Sequence, residues 1–330
     1  MNPNPEIQKL NVKAKEYSTM LQNIHVEMSR VIVGQDSVID NLILALATQG
    51  HILLKGVPGL AKTLLIKTLA DCIDLEFIRL QFTPDLLPAD IIGTKIYDHS
   101  TVSFKTVKGP IFSNFVLVDE INRAPPKVQS ALLEAMQEQQ VSIQGDTHKI
   151  DLPFFVMATQ NPIEMEGTYN LPEAQIDRFM FNLIIKHPTK EEEIEIIQRF
   201  TEESVPKTTK VITANDLMEL QAFVHKIYAD QNIKSYITDI VDATRHPKEY
   251  GLKIDEKIEY GASPRASLWL ALGSKAHAMQ SGRGYVMPED VQAVVYQILR
   301  HRIILTYEAQ AENITSDDII ADILRAVKVP

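Results

Sequence analysis

Cysteine is nearly absent. Cys72 stands alone in 330 residues, so an intrachain disulfide is excluded. Its setting in an apolar helical pattern reads as packing rather than thiol chemistry. Long apolar runs are missing too. None approaches the roughly 18 residues needed to cross a bilayer, which argues against membrane insertion. The opening MNPNPEIQKLNVKAKEY has no apolar core and does not read as a secretory signal. A cytoplasmic location is expected. A basic excess is also lacking: Lys and Arg number 33 against 43 Asp and Glu, a net charge of −10. That weighs against general affinity for nucleic acid or anionic membrane, yet leaves room for a local basic pocket that holds a polyanion. No zinc or haem spacing occurs, and His51, His148 and His187 are scattered, so each reads as structural. There is no internal repeat and no low-complexity tract.

What is present is an ordinary globular composition, 45% hydrophobic and 23% charged. The length suffices for two domains, each with a core. The stretch His51 to Thr68, HILLKGVPGLAKTLLIKT, organises the rest. Ile52, Leu53 and Leu54 form a short strand. Gly56, Val57, Pro58, Gly59, Leu60, Ala61, Lys62 and Thr63 form a loop. Leu64, Leu65, Thr68 and Leu69 then recur on one helix face. Strand, glycine-bearing loop and helix make the context of a phosphate-binding P-loop. Loop amides and the free amides of the helix N-terminus can converge on a β-phosphate. Lys62 can reach the β- and γ-phosphates, and the Thr63 hydroxyl can ligate Mg²⁺. The glycine usual before the lysine is Ala61. The loop still closes if Ala61 already lies in the first helical turn.

Upstream, residues 1–30 read as a polar helix, with Ile7, Leu10, Ala14, Tyr17, Leu21, Ile24 and Met28 at helical spacing. Val31, Ile32, Val33, Gly34 and Gln35 follow. This segment is either the edge that reads an adenine or a plain turn into the helix from Ser37 to Thr48. Downstream, Glu76 to Gln81 reads as a strand and Pro84 to Ile92 as a short helix stopped by Gly93. Residues 95–107 read as a hairpin, either a packing ornament or a partner contact. The run FVLVD is a buried parallel strand that ends in Asp119 and Glu120. Two carboxylates at a strand's carboxyl end sit where ligands bind in an α/β sheet. Asp119 can join the Mg²⁺ shell, and Glu120 can act as general base on water.

A helix with Val128, Ala131, Leu132, Ala135 and Met136 on its inner face comes next, then a second hairpin over 141–150 with its turn at Gly145-Asp146. Phe154 to Thr159 is another buried strand, running into Asn161. That residue either holds water or γ-phosphate, or simply forms an Asn-Pro turn. Arg178, ahead of the strand Met180 to Ile185, is either a surface residue or an arginine finger. Beyond residue 188 the patterning is helical, with no clear buried strand. In GASPRA, Ser263 reads as an N-cap and Pro264 as the first helical residue. Arg265 then lies in the first turn, where the helix dipole disfavours a cation. It either snorkels into water or answers a nearby anion, with a nucleotide phosphate the obvious choice.

The ordered set GVPGLAKT, FVLVDEINRAPPKVQSALLEAMQE, ATQNP, LPEAQIDRF and GASPRA closely resembles the MoxR family of AAA+ ATPases, across roughly residues 31 to 300. The resemblance implies an α/β P-loop sandwich with a parallel five-stranded sheet and a C-terminal all-α lid. The expected division is an N-terminal helical segment at 1–30, a nucleotide-binding core at 31–188 and a lid at 189–330. The resemblance also implies ATP and Mg²⁺ as cofactors, a Walker A loop at Gly56 to Thr63 continuing into Leu64, and a Walker B pair at Asp119 and Glu120. It implies sensor 1 at Asn161, a finger at Arg178 and sensor 2 at Arg265. Such proteins form rings, usually hexamers, and act as chaperone-like ATPases, often with proteins carrying von Willebrand factor A domains. Two other classes stay open: a P-loop phosphotransferase, and a nucleotide-gated scaffold with incidental hydrolysis.

Overall fold

The structure is a computed structural model that describes residues 5–57, 59–161, 168–201 and 206–330. Helices α1 (Pro5–Ser29) and α2 (Asp36–Ala47) lead to β1 (Ile52–Lys55) and α3 (Lys62–Ile73). Strand β2 (Phe77–Gln81) and the short α4 (Pro88–Ile92) precede a hairpin of β3 (Gly93–Asp98) and β4 (Ser103–Lys108). Then come β5 (Phe115–Asp119), α5 (Pro126–Glu138), a hairpin of β6 (Gln140–Ile143) and β7 (Asp146–Lys149), β8 (Phe155–Gln160), α6 (Glu173–Ile176) and β9 (Phe181–Ile184). The remaining chain carries α7 (Lys190–Thr201), α8 (Ala214–Val224), α9 (Gln231–Ala243), β10 (Ile258–Tyr260), α10 (Pro264–Gln280), α11 (Pro288–Leu299), β11 (Ile304–Leu305), α12 (Tyr307–Ala311) and α13 (Ser316–Ala326).

Five parallel strands form the sheet in the order β2-β5-β8-β1-β9. Their apolar runs are continuous because both faces are covered. Ile52, Leu54, Phe115, Leu117, Phe155 and Met157 pack into one core with α1, α2 and α3. Leu53, Val116, Val118, Val156 and Ala158 point the other way, against Val128 and Leu132 of α5 and Ile91 of α4. The first core runs on into the helical half through Val294, Ile298 and Ile320. Helix α1 touches α2, α3 and α10, so it lies across both halves. The strands' carboxyl ends share one edge, where β1 delivers the P-loop, β5 delivers Asp119 and β8 leads into Asn161.

Several local expectations need correction. Val31 to Gln35 is a turn with no strand ahead of it: Gly34 and Gln35 are both left-handed, with φ of 64° and 63°, and lead the chain directly into α2. The helix expected from Pro84 begins only at Pro88, where the Asp90 carboxylate accepts the Leu87 N–H at 2.8 Å. The second hairpin turns at Gln144 and Gly145, one residue early, since those two carry the positive φ that a tight hairpin needs. In the helical half β10 and β11 pair antiparallel, so that half is not purely helical. The two hairpins are braced together: Lys95 pairs with Asp146 at 2.7 Å, and Gln144 donates to Thr94 at 3.3 Å.

Candidate active site

The loop after β1 is open. Gly59 has φ +86°, and nothing lies within 4 Å of where a Cβ would stand. Pro58 lies outside the described residues. Ala61 is not in the first helical turn. It is the residue before it, left-handed at φ 53° and ψ 24°, and Lys62 opens α3. An alanine held there is strained by roughly 1–2 kcal/mol, which is why glycine is usual. The Lys62 ammonium donates to the Gly56 carbonyl at 2.5 Å. Burial pushes its pKa down, while Asp119 and Glu120 pull it back up. It makes no ion pair among the described residues.

The carboxylates are set by one threonine that the sequence reading passed over. Thr159, fully buried on β8, donates to Asp119 at 2.6 Å and accepts the Glu120 N–H at 2.9 Å. Glu120 itself is left-handed, φ 57° and ψ 55°. A charged residue in that conformation beside a ligand edge is strain of the kind found at functional sites. Two cations and an amide surround the pair. Arg79 reaches Asp119 at 2.6 Å, Arg123 reaches Glu120 at 3.0 Å, and Gln81 donates to Glu120 at 3.2 Å. Arg79, Gln81 and Arg123 were also missed. Strand alternation was the available signal: β2 and β5 are neighbours in register, with Gln81 opposite Asp119.

Gly59, Leu60, Ala61, Lys62, Thr63, Leu64, Arg79, Gln81, Asp119, Glu120 and the buried Asn161 line one cleft of about 540 Å³. The segments that the sequence set apart by up to about a hundred residues therefore meet. Beside the cleft lies an apolar recess of about 280 Å³, walled by Val31, Ile32, Val33, Gln35, by Gly59, Leu60 and Ala61 of the loop and by Leu64 and Leu65 of α3. Pro188, Ile196 and Phe200 close it; these too went unread, since only the fold brings α7 here. Gly34 is left-handed at φ +64°, a conformation that favours glycine, and a Cβ there would approach the Glu192 carboxylate to 2.5 Å, so that flexible side chain would have to shift.

Arg178 and Arg265 lie elsewhere. Neither lines the Lys62 cleft. Both line a cavity of about 300 Å³ with Gln137, His225 and Trp269. The anion that Arg265 answers is not a phosphate of its own chain's site but Asp177, which accepts its guanidinium at 2.8 Å. Asp177 also accepts the Ser263 hydroxyl at 3.1 Å and Arg302 at 2.8 Å. So Ser263 occupies the N-cap position without using its hydroxyl as the cap. Arg302 is buried and donates as well to the carbonyls of Asp177, Phe179 and Met180. Burial pulls its pKa down to about 10, opposed by Asp177, so it stays cationic at neutral pH.

The family described as "ATPase family associated with various cellular activities (AAA)" matches residues 51–181, and an AAA lid domain matches residues 252–323. Chaperone MoxR1 of Mycobacterium tuberculosis is 46% identical over 94% of this chain and 82% of its own. Protein YeaC of Bacillus subtilis, uncharacterized, is 45% identical over 92% of both. A crystal structure from Cytophaga hutchinsonii, of a protein assigned as an ATPase, superposes with a TM-score of 0.92 at 48% identity. It covers 99% of this chain and 100% of that one.

The chain is a MoxR-family AAA+ ATPase.

A nucleotide and metal fit the residues that this ATPase presents. The Lys62 ammonium, which makes no ion pair among the described residues, the open loop at Gly59 and the free amides of α3 suit a polyphosphate. The hydroxyl of Thr63 and the carboxylate of Asp119 are hard oxygen donors of the sort Mg²⁺ takes alongside phosphate and water. Among the described residues no three His, Cys, Asp or Glu side chains form a metal site of their own. A metal here would thus need the nucleotide's oxygens. No helix among the described residues is long and apolar enough to cross a membrane. Cys72 is buried, and its thiol is pushed up to about 12 chiefly by burial, so it stays protonated and inert.

Proposed function

We propose that this protein hydrolyses ATP with Mg²⁺, as a cytoplasmic ring, to remodel, assemble or mature a partner protein. The observation that carries the reading is the single cleft shared by Lys62, Thr63, Asp119, Glu120 and Asn161. Thr63 and Asp119 would hold Mg²⁺, whose charge would offset the charge that develops on the phosphate oxygens. Lys62 holds the β- and γ-phosphates, and the loop amides from Gly59 onward cradle them. Glu120 takes the proton from the attacking water as general base. Asn161 orients that water. The apolar recess at Val33 and Gly34 takes the adenine, with Ile196 and Phe200 over its open side.

Arg178 and Arg265 complete the assembly. Both are directed away from their own P-loop, onto one shared cavity. We read that cavity as the face that meets the next subunit's γ-phosphate. Hydrolysis then requires a ring, with a hexamer expected from the family. Residues 1–30, 31–188 and 189–330 are read as the N-terminal segment, core and lid. The client is a protein, first among candidates one with a von Willebrand factor A domain. Nucleic acid is not expected as a client, given the net charge of −10.

The test is Glu120→Gln. Nucleotide binding should stay near the parent value, and steady-state phosphate release should fall about 10²- to 10⁴-fold, the usual share of a general base. Parent-rate turnover in this variant would remove Glu120 from the mechanism. The trapped protein is also the bait for the client.

A further inference from the structure

Among the described residues the cation paired with Asp119 is Arg79, not Lys62. The Arg79 guanidinium places Nη2 at 2.6 Å and Nε at 3.2 Å from the same oxygen of Asp119, Oδ2. The other oxygen, Oδ1, accepts from Thr159 at 2.6 Å. Both oxygens of the proposed metal ligand are therefore engaged. Thr159 is buried and cannot leave. Arg79 can: its side chain is half exposed and comes from the neighbouring strand β2. The same guanidinium donates to Gln81 Oε1 at 3.1 Å, and Gln81 Nε2 donates to Glu120 at 3.2 Å. One cation thus bears on both carboxylates of the site.

We propose that Arg79 is the resident counter-ion of Asp119, and that Mg²⁺ must displace it before nucleotide is fully held. Asp119 and Glu120 are adjacent and repel each other when both are ionised. A guanidinium on Asp119 relieves that repulsion in the metal-free chain. A divalent ion takes over the same role, and the two cations repel. Removing the guanidinium therefore strengthens the site for Mg²⁺ instead of weakening it. Release of Arg79 also frees Gln81, so metal loading loosens the hold on the general base. Arg79 acts here as a positioning residue. The proposal rests on Thr63 and Asp119 holding Mg²⁺, and its test separates the two ideas.

The full chain is titrated with MgCl₂ at constant ionic strength while binding of a fluorescent, non-hydrolysable ATP analogue is followed. Arg79→Met should reach half-maximal binding at about threefold to tenfold lower Mg²⁺ than the parent, the range for a half-exposed charged pair. Arg79→Gln, which keeps a donor without the charge, should shift the same way, and guards against misfolding of either variant alone. Curves that coincide with the parent, or move to higher Mg²⁺, overturn the proposal. Asp119→Ala should flatten the metal response. If it leaves that response intact, or the parent shows none, the metal-site reading fails with or without Arg79.

Discussion

The P-loop cleft and the arginine cavity are built on opposite plans. The cleft is lined within one chain by the phosphate loop and both acidic residues. Its charges are cross-linked at close range, and Thr159 alone fixes both the Asp119 side chain and the Glu120 backbone. The arginine cavity has cations and no phosphate-binding loop. Asp177 holds Arg265 from one side and the buried Arg302 from the other. A site that presents cations outward and anchors them from behind is half of something. The difference is the ground for the proposal that chemistry is divided between copies: the cleft would hold the substrate, and the arginine cavity would supply charge to a neighbouring copy.

Arg178→Ala breaks that comparison most sharply. Arg178 does not line the Lys62 cleft, so nucleotide affinity should persist. Turnover should fall by about 10³-fold or more if Arg178 is the proposed finger. Mixing with Glu120→Gln subunits should restore part of the rate, since one chain keeps the cleft and the other keeps the finger. Mixtures that stay silent at every ratio would falsify a finger acting between subunits.

The cleft was more legible in the sequence than the cavity, for a physical reason. Lys62 and Thr63 belong to a local strand-loop-helix pattern, and Asp119 ends an apolar run, so short-range rules reach both. Arg79 sits mid-strand in EFIRLQ and reads there as a solvated charge; only the register of β2 against β5 carries it to Asp119. Thr159 hides as one polar residue in FFVMAT, its value visible only from the neighbouring strand. Phe200 and Ile196 close the recess from α7, more than 130 residues beyond the loop. The partner of Arg265 was misread because its helix position announces an anion without naming one. Asp177 lay unread beside the more conspicuous Arg178. Local pattern exposes backbone architecture; the second partner of each charge is a tertiary fact.

His51 sharpens the comparison from the side of the arginine cavity. It lines the arginine cavity, accepts the Val156 N–H of β8 at 3.1 Å and donates to the Met136 carbonyl of α5 at 3.1 Å. That pairing fixes the neutral ring with its proton on Nε2. Burial lowers its pKa from 6.5 to about 4. Between those values the unfolded chain binds a proton that the folded chain does not. Stability is therefore full above pH 6.5 and declines as pH falls toward 4, by about 3 kcal/mol from this group. His301, half-buried but with its pKa pushed well down chiefly by desolvation, adds to the same slope. His51→Phe should be less stable at pH 7, with the Val156 N–H and Met136 carbonyl left unpaired, yet lose less on acidification. Denaturant melts at pH 7 and 5 measure both. An undiminished acid slope in the variant would assign the slope to other groups.

Ala61 carries the smallest effect and the most local one. Among the described residues of the phosphate loop, its left-handed backbone is where residue type and conformation disagree. Ala61→Gly removes the steric conflict but widens the unfolded ensemble, and the two terms oppose each other. Since the native φ of 53° is incompatible with a relaxed alanine, relief should win, and stability should rise by about 1 kcal/mol or less. The arginine cavity should not notice: subunit mixing with Arg178→Ala should give the same recovery in this background. If Ala61→Gly instead destabilises the fold, the alanine is better accommodated than its backbone angles imply. The loop would then owe its shape to the helix behind it.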